Sequence, residues 1–236
     1  MSLVALVVAV ATAVMCALCC HKHAATTGGV DVEAALLAKP EMVINALNKY
    51  EENARQQQAQ EAEKLVKENL SDMHNDADTP FIGPKDAKVT LVEFFDYSCG
   101  YCQRLFPELK RVVEANPDVK FVFKPLTFLG ENSVVAAKAV LAAAKQGKFM
   151  EVHNALFEAG HGLTKEKIRS IAEEKGLDMA QFDAYVASAE VSNILAKISE
   201  LAGKVRVNGV PAMFINGTML QTLNGNDVQN AINDNK

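Results

Sequence analysis

The sequence has no tryptophan, little aromatic content at 6%, and only five cysteines in 236 residues. The missing tryptophan carries no functional message. An excess of positive charge is also missing. The formal net charge is -5, so there is no electrostatic ground for a nucleic-acid partner. Only one close cysteine pair, Cys99 and Cys102, lies beyond the first twenty residues, and the histidines lack ligand-like spacing. A zinc site needs four ligands and a lone CxxC supplies two, so no metal is expected. What remains is ordinary for a folded chain, 49% apolar and 22% charged, long enough for one domain with an appendage.

One more absence concerns the N-terminus. No lysine or arginine precedes the uncharged run Leu3–Cys20, which the polar stretch HKHAATTGG follows. The run is long for a secretory core and short for a membrane span. Residues 1–25 read as an export signal, with a retained membrane anchor as the alternative. Lipid attachment at Cys19 or Cys20 is a third reading, which Leu18 and Cys19 disfavour. Each puts the rest of the chain outside the cytoplasm. Cleavage near Ala24 or Ala25 would leave Cys99 and Cys102 as the mature cysteines, with no web of structural disulfides.

Residues 30–77 read as a helical arm rich in Ala, Glu, Gln and Lys. Met42, Val43, Ala46, Leu47 and Tyr50 follow helical spacing behind Pro40. Leu65, Val66, Leu70 and Met73 resume the stripe after a polar tract. So narrow a stripe needs a second surface, and the arm is expected to self-associate into a homodimer or trimer. A solvated linker helix is the plainer reading.

Residues 78–236 read as an α/β domain. VTLVEFF is a strand buried on both faces, and the segment from the cysteines to NPD is a helix kinked at Pro107. VKFVFKPL is the next strand, which completes a βαβ unit with the cysteines at the carboxyl end of the first strand. A helical insertion over about 131–203 follows, read as segments 133–159, 164–177 and 179–205, with Gly147 among its punctuation. The chain closes with strand, turn at Asn216-Gly217, strand and helix.

Position decides the chemistry of the cysteines. A bridge across two residues restricts the unfolded chain little, which weighs against a structural role. At the first turn of a helix, unsatisfied N–H groups and the dipole favour a thiolate on Cys99. Cys102, one turn inward, can then attack a mixed disulfide and release the partner.

VEFFDYSCGYC, the helical insertion and GVPAMFING together resemble the thioredoxin superfamily, in its exported DsbA-like branch. The N-terminal VEAALLAKPEMVINALNKYEENARQQQ is similar to the arm of the suppressor-of-copper-sensitivity and Com1-type relatives. The resemblance implies a thioredoxin-like sheet domain with a helical insertion and an N-terminal arm. It implies a periplasmic location, with membrane or surface association open, and no cofactor. It makes Cys99 the nucleophile, Cys102 the resolving thiol and Pro211 a cis-proline facing them, with the Val210 backbone meeting substrate. An ordinary trans proline is the alternative. Glu93 matches a buried acid that relays the Cys102 proton; pairing with Lys124 is a second reading compatible with it. Phe94, Phe95 and Phe106 read as core.

Gly100-Tyr101 resembles the dipeptide of disulfide isomerases, and Val210 that of dedicated oxidases. The expected activity is isomerisation together with disulfide formation, on unfolded or misdisulfided exported proteins, recharged by a membrane redox partner. Two other classes stay open: a Cu(I)-handling protein using the same thiols, and a non-catalytic surface protein on an inherited fold.

Overall fold

The computed structural model describes residues 31–236. The expected leader at 1–25, with Cys16, Cys19, Cys20 and the HKH tract, lies outside the described residues. No helix among the described residues is long and apolar enough to cross a membrane.

The chain divides into two compact units, one ending at Gln56 and the other spanning Gln57–Lys236. In the first, helix α1 (Val32–Ala38) opens on Asp31, whose side chain accepts a hydrogen bond from the Ala34 N–H. Helix α2 (Glu41–Glu68) follows and runs across the division between the units. Its apolar residues Met42, Val43, Ile44, Leu47 and Tyr50 are exposed.

The second unit begins with the last turns of α2 and the short α3 (Leu70–His74). Val66 and Met73 are buried there beside Val92, Phe94 and Phe214. The end of the stretch read as an arm thus packs with the sheet domain. Gly217 shows how closely: a Cβ there would lie 2.8 Å from Leu70 Cδ1.

The five strands are β1 (Phe81–Ile82), β2 (Thr90–Phe95), β3 (Lys120–Pro125), β4 (Ala212–Ile215) and β5 (Thr218–Met219), in the order β1-β3-β2-β4-β5. β2 and β3 run parallel, joined by α4 (Gly100–Ala115), and the other pairs are antiparallel. Every residue of β2 and β3 is buried, as their near-continuous apolar runs require. α4 continues through Pro107 without a break.

The insertion forms α5 (Glu131–Lys145), α6 (Phe149–Glu158), α7 (Lys165–Glu174), α8 (Met179–Val186) and α9 (Ala189–Lys204). The segment read as one helix over 179–205 is therefore two. Ser188 ends the first and caps the second, its hydroxyl accepting from the Val191 N–H. The break between α5 and α6 falls at Gly147, where φ is +70°. α10 (Gly225–Asn235) closes the chain. One face of the sheet, with Leu91, Phe95, Phe121 and Phe123, packs in a core shared with α4, α6 and α10. The other, with Val92, Phe94 and Phe214, packs against Ile194, Ile198 and Leu201 of α9. The fold is a thioredoxin-like mixed sheet with helices on both faces and an N-terminal helical region.

Candidate active site

The site begins where β2 ends. Asp96 closes a tight turn by two devices: its carboxylate accepts from the Ser98 N–H (2.8 Å), and its backbone carbonyl accepts from the Cys99 N–H (3.0 Å). The turn delivers Cys99 to the N-cap of α4, with extended backbone, and its carbonyl accepts from the Gln103 N–H at 2.9 Å. The side chain of Cys99 makes no capping bond, so the open N–H groups of the first turn remain available to a charge on sulfur.

The Cys99 thiol instead donates to the Val210 carbonyl oxygen, 3.4 Å away across the fold. The Val210-Pro211 peptide bond is cis. The structure therefore brings together Cys99, Val210 and Pro211, separated by more than a hundred residues in sequence. Cys99 and Cys102 are both free thiols and both buried. Gly100 and Tyr101 lie between them. Tyr101 is exposed, and the Arg104 guanidinium stands over its ring, 4.4 Å from the centroid. Phe128 and Leu129 are exposed as well, on the loop between β3 and α5.

Beneath the turn lies Glu93. Burial pushes its carboxyl up to about 8. The Cys102 thiol is raised much further, first by burial; an Asp96 backbone hydrogen bond opposes the rise, and the charges of Glu93 and Cys99 add to it. The proposed pairing of Glu93 with Lys124 is not what the structure holds. Lys124 stands in register with Phe94 and Glu93 with Phe123, so the two side chains belong to opposite faces of the sheet. Lys124 is fully buried and pairs with Asp76 at 3.5 Å and Thr79 at 3.1 Å. That ties the segment after α3 to β3.

Sequence reading passed over three neighbours of the site. Asp96 is fully buried; its carboxylate also accepts from the Ser133 hydroxyl (2.7 Å) and the Leu129 N–H (3.2 Å). A signal was present, since Asp-x-Ser ahead of a helix is an Asx-turn pattern. Tyr97 and His153 carried none. Burial lowers His153 to about 3 and, with the Glu93 charge, holds Tyr97 well above the usual phenol range. Neutral His153 thus shares a hydrogen bond between its Nδ1 and the Tyr97 hydroxyl at 2.9 Å, inside a cage that includes Phe95, Phe123 and Phe157.

This strand-to-helix dithiol facing a cis-proline lies within residues 90–235, which match the family model described as a DSBA-like thioredoxin domain. The chain belongs to that family. DsbA-like proteins are thiol:disulfide oxidoreductases. The thiol:disulfide interchange protein DsbA of Haemophilus influenzae is 33% identical over 134 residues, which cover 54% of this chain and 65% of that protein. The Na(+)/H(+) antiporter NhaA 3 of Salinispora tropica is 32% identical over 137 residues, or 57% of this chain. The match spans only about a fifth of the antiporter (21%), so the likeness is that of a domain. Among solved structures, the catalytic domain of Proteus mirabilis ScsC is 30% identical with a TM-score of 0.66, covering 73% of this chain and 97% of that one.

Proposed function

We propose that this protein is an exported thiol:disulfide oxidoreductase that forms and isomerises disulfides in secreted proteins. The observation that carries the reading is the Cys99 thiol, at the N-cap of α4, set against the Val210 carbonyl beside Pro211. Cys99 as thiolate attacks one sulfur of a substrate disulfide; a mixed disulfide forms and the other substrate sulfur leaves as thiolate. Two exits follow. A second substrate thiol attacks the mixed disulfide, which rearranges the substrate and returns Cys99. Alternatively Cys102 attacks Cys99, which releases the substrate reduced by two electrons and leaves the Cys99–Cys102 disulfide. In that case the buried Glu93 carboxylate takes the Cys102 proton. Disulfide formation is the reverse, with a membrane partner of the oxidoreductase class removing the electrons. Pro211 and the Val210 backbone hold an extended substrate segment, and Gly100 and Tyr101 flank it.

Isomerisation needs reduced Cys99 and gains from a second subunit that grips misfolded substrate. The exposed stripe Met42, Val43, Leu47 and Tyr50 supports assembly through the arm as a homodimer, with a trimer as the alternative. The leader reading supports a periplasmic location.

The test is reactivation of a scrambled multi-disulfide protein by the purified chain and by a Met42→Glu/Leu47→Glu variant, in a glutathione buffer. Strong reactivation by the first and weak by the second is the expected result. Rapid oxidation of reduced substrate by both, with no reactivation, would leave an oxidase and remove the isomerase reading.

A further inference from the structure

Asp96 makes more contacts than closing a turn requires. One oxygen, Oδ1, accepts from both the Ser98 N–H and the Ser133 hydroxyl; the other, Oδ2, accepts from the Leu129 N–H. Ser98 immediately precedes Cys99, while Leu129 and Ser133 bracket the N-terminus of α5. A single carboxylate thus joins the reactive turn to the start of a helix in the insertion. It is fully buried, and among the described residues no ion pair includes it. Three donors satisfy it where a cation would otherwise be needed.

We propose that Asp96 is a positioning residue that sets the redox poise of the Cys99–Cys102 pair, through both the tether and its charge. The inference rests on the redox reading of those cysteines. The backbone carbonyl of Asp96 also accepts from the Cys99 N–H, so the residue holds the reactive cysteine through main chain and side chain together.

The other charged and titratable groups around the turn include Tyr97 within it, Tyr101, Cys102 and Arg104 on α4, Glu93 on β2, Glu131 at the start of α5, and His161 from the loop after α6. Arg104 and His161 approach the helix start: a Cβ at Gly100 would lie 3.5 Å from Arg104 Nη1 and 3.4 Å from His161 Cε1. The Arg104 guanidinium and the open N–H groups of the first turn of α4 bring positive potential to this side of the turn. The Asp96 charge beneath the turn opposes it, which disfavours the reduced pair and makes the protein a milder oxidant.

The two contributions of Asp96 predict opposite signs, which makes the inference testable. Loss of its charge favours the thiolate. Mere loosening of the turn misaligns the α4 N–H groups and disfavours the thiolate.

The experiment equilibrates the purified protein in glutathione buffers, where the Cys99–Cys102 dithiol and oxidised glutathione exchange two electrons and two protons to give the protein disulfide and two glutathione thiols. A second readout is the pH profile of Cys99 alkylation by iodoacetamide. Asp96→Asn is expected to shift the equilibrium toward the dithiol on the order of tenfold, and the profile to lower pH. Ser133→Ala keeps the charge but removes one of its donors, and is expected to move both readouts the other way by a smaller amount. It also serves as the test if the Asn variant does not fold. Unmoved readouts, or a shift of both variants in the loosening direction, would overturn the assignment. A wild-type protein that forms no Cys99–Cys102 disulfide in any buffer defeats the redox reading and takes this inference with it; a normal wild-type equilibrium with unmoved variants defeats Asp96 alone.

Discussion

Glu93 and Lys124 sit on neighbouring parallel strands one register step apart, and that step sends them to opposite faces of the sheet. Glu93 is therefore buried without Lys124 to balance it, and burial alone holds its carboxyl near 8 against an ordinary 4.5. A carboxyl raised on folding gives stability that is complete below pH 4.5 and is lost as pH rises through about 8. Glu93→Gln is expected to flatten this slope, with a gain on the order of 5 kcal/mol at most above pH 8. Thermal melts from pH 4 to 9 check it, and parallel slopes for the two proteins would contradict it. Resolution of the mixed disulfide by Cys102 should slow in the same variant.

Replacement of Cys99 by Ser is expected to abolish disulfide exchange, while the melting temperature changes by no more than about 1–2 kcal/mol would cause. Cys102→Ser should instead accumulate substrate held through Cys99, visible on a non-reducing gel. A Cys99→Ser protein that retains full biological function would support the non-catalytic surface reading. A copper-handling role would appear as Cu(I) binding by the wild type that Cys99→Ser removes.

His153 is a base lowered on folding, from 6.5 to about 3. The sign is opposite to that of Glu93: its contribution to stability is complete above pH 6.5 and is lost as pH falls toward 3. His153→Phe should reduce acid lability but strand the buried Tyr97 hydroxyl, at a cost of about 1–3 kcal/mol. Adding Tyr97→Phe should recover part of that cost. Additive effects in urea titrations would show that the 2.9 Å contact contributes nothing.

On the arm, Leu47→Glu is expected to reduce the mass seen by light scattering to that of a single 25.5 kDa chain or its processed form. A wild type that is already monomeric removes the assembly reading.

Much of the fold was legible because burial writes itself in composition. VTLVEFF and VKFVFKPL are apolar on both faces, and only strands covered on both sides need that. The cysteines were legible from their place where an apolar strand gives way to a helix, and Pro211 through the family resemblance its GVPAMFING motif carries. Register was not legible. One residue of slip between β2 and β3 moves Lys124 from one face to the other, and nothing local to either strand records it. His153 is one polar side chain on an apolar helix face, and its partner Tyr97 lies 56 positions away. The packing of Val66 and Met73 with the sheet was hidden in the same way, since a helical stripe does not say which surface covers it.

The contact between Cys99 and Val210 makes the carbonyl a reporter of the oxidation state. While Cys99 is a protonated thiol, its hydrogen occupies that oxygen. Once the sulfur enters a disulfide the hydrogen is gone, and the oxygen is left seeking a donor, such as the backbone N–H of an arriving extended chain. Within the proposed exchange reaction, oxidation of Cys99 therefore frees one backbone acceptor beside Pro211, so the same bond that stores the electrons also changes what that edge of the site can pair with.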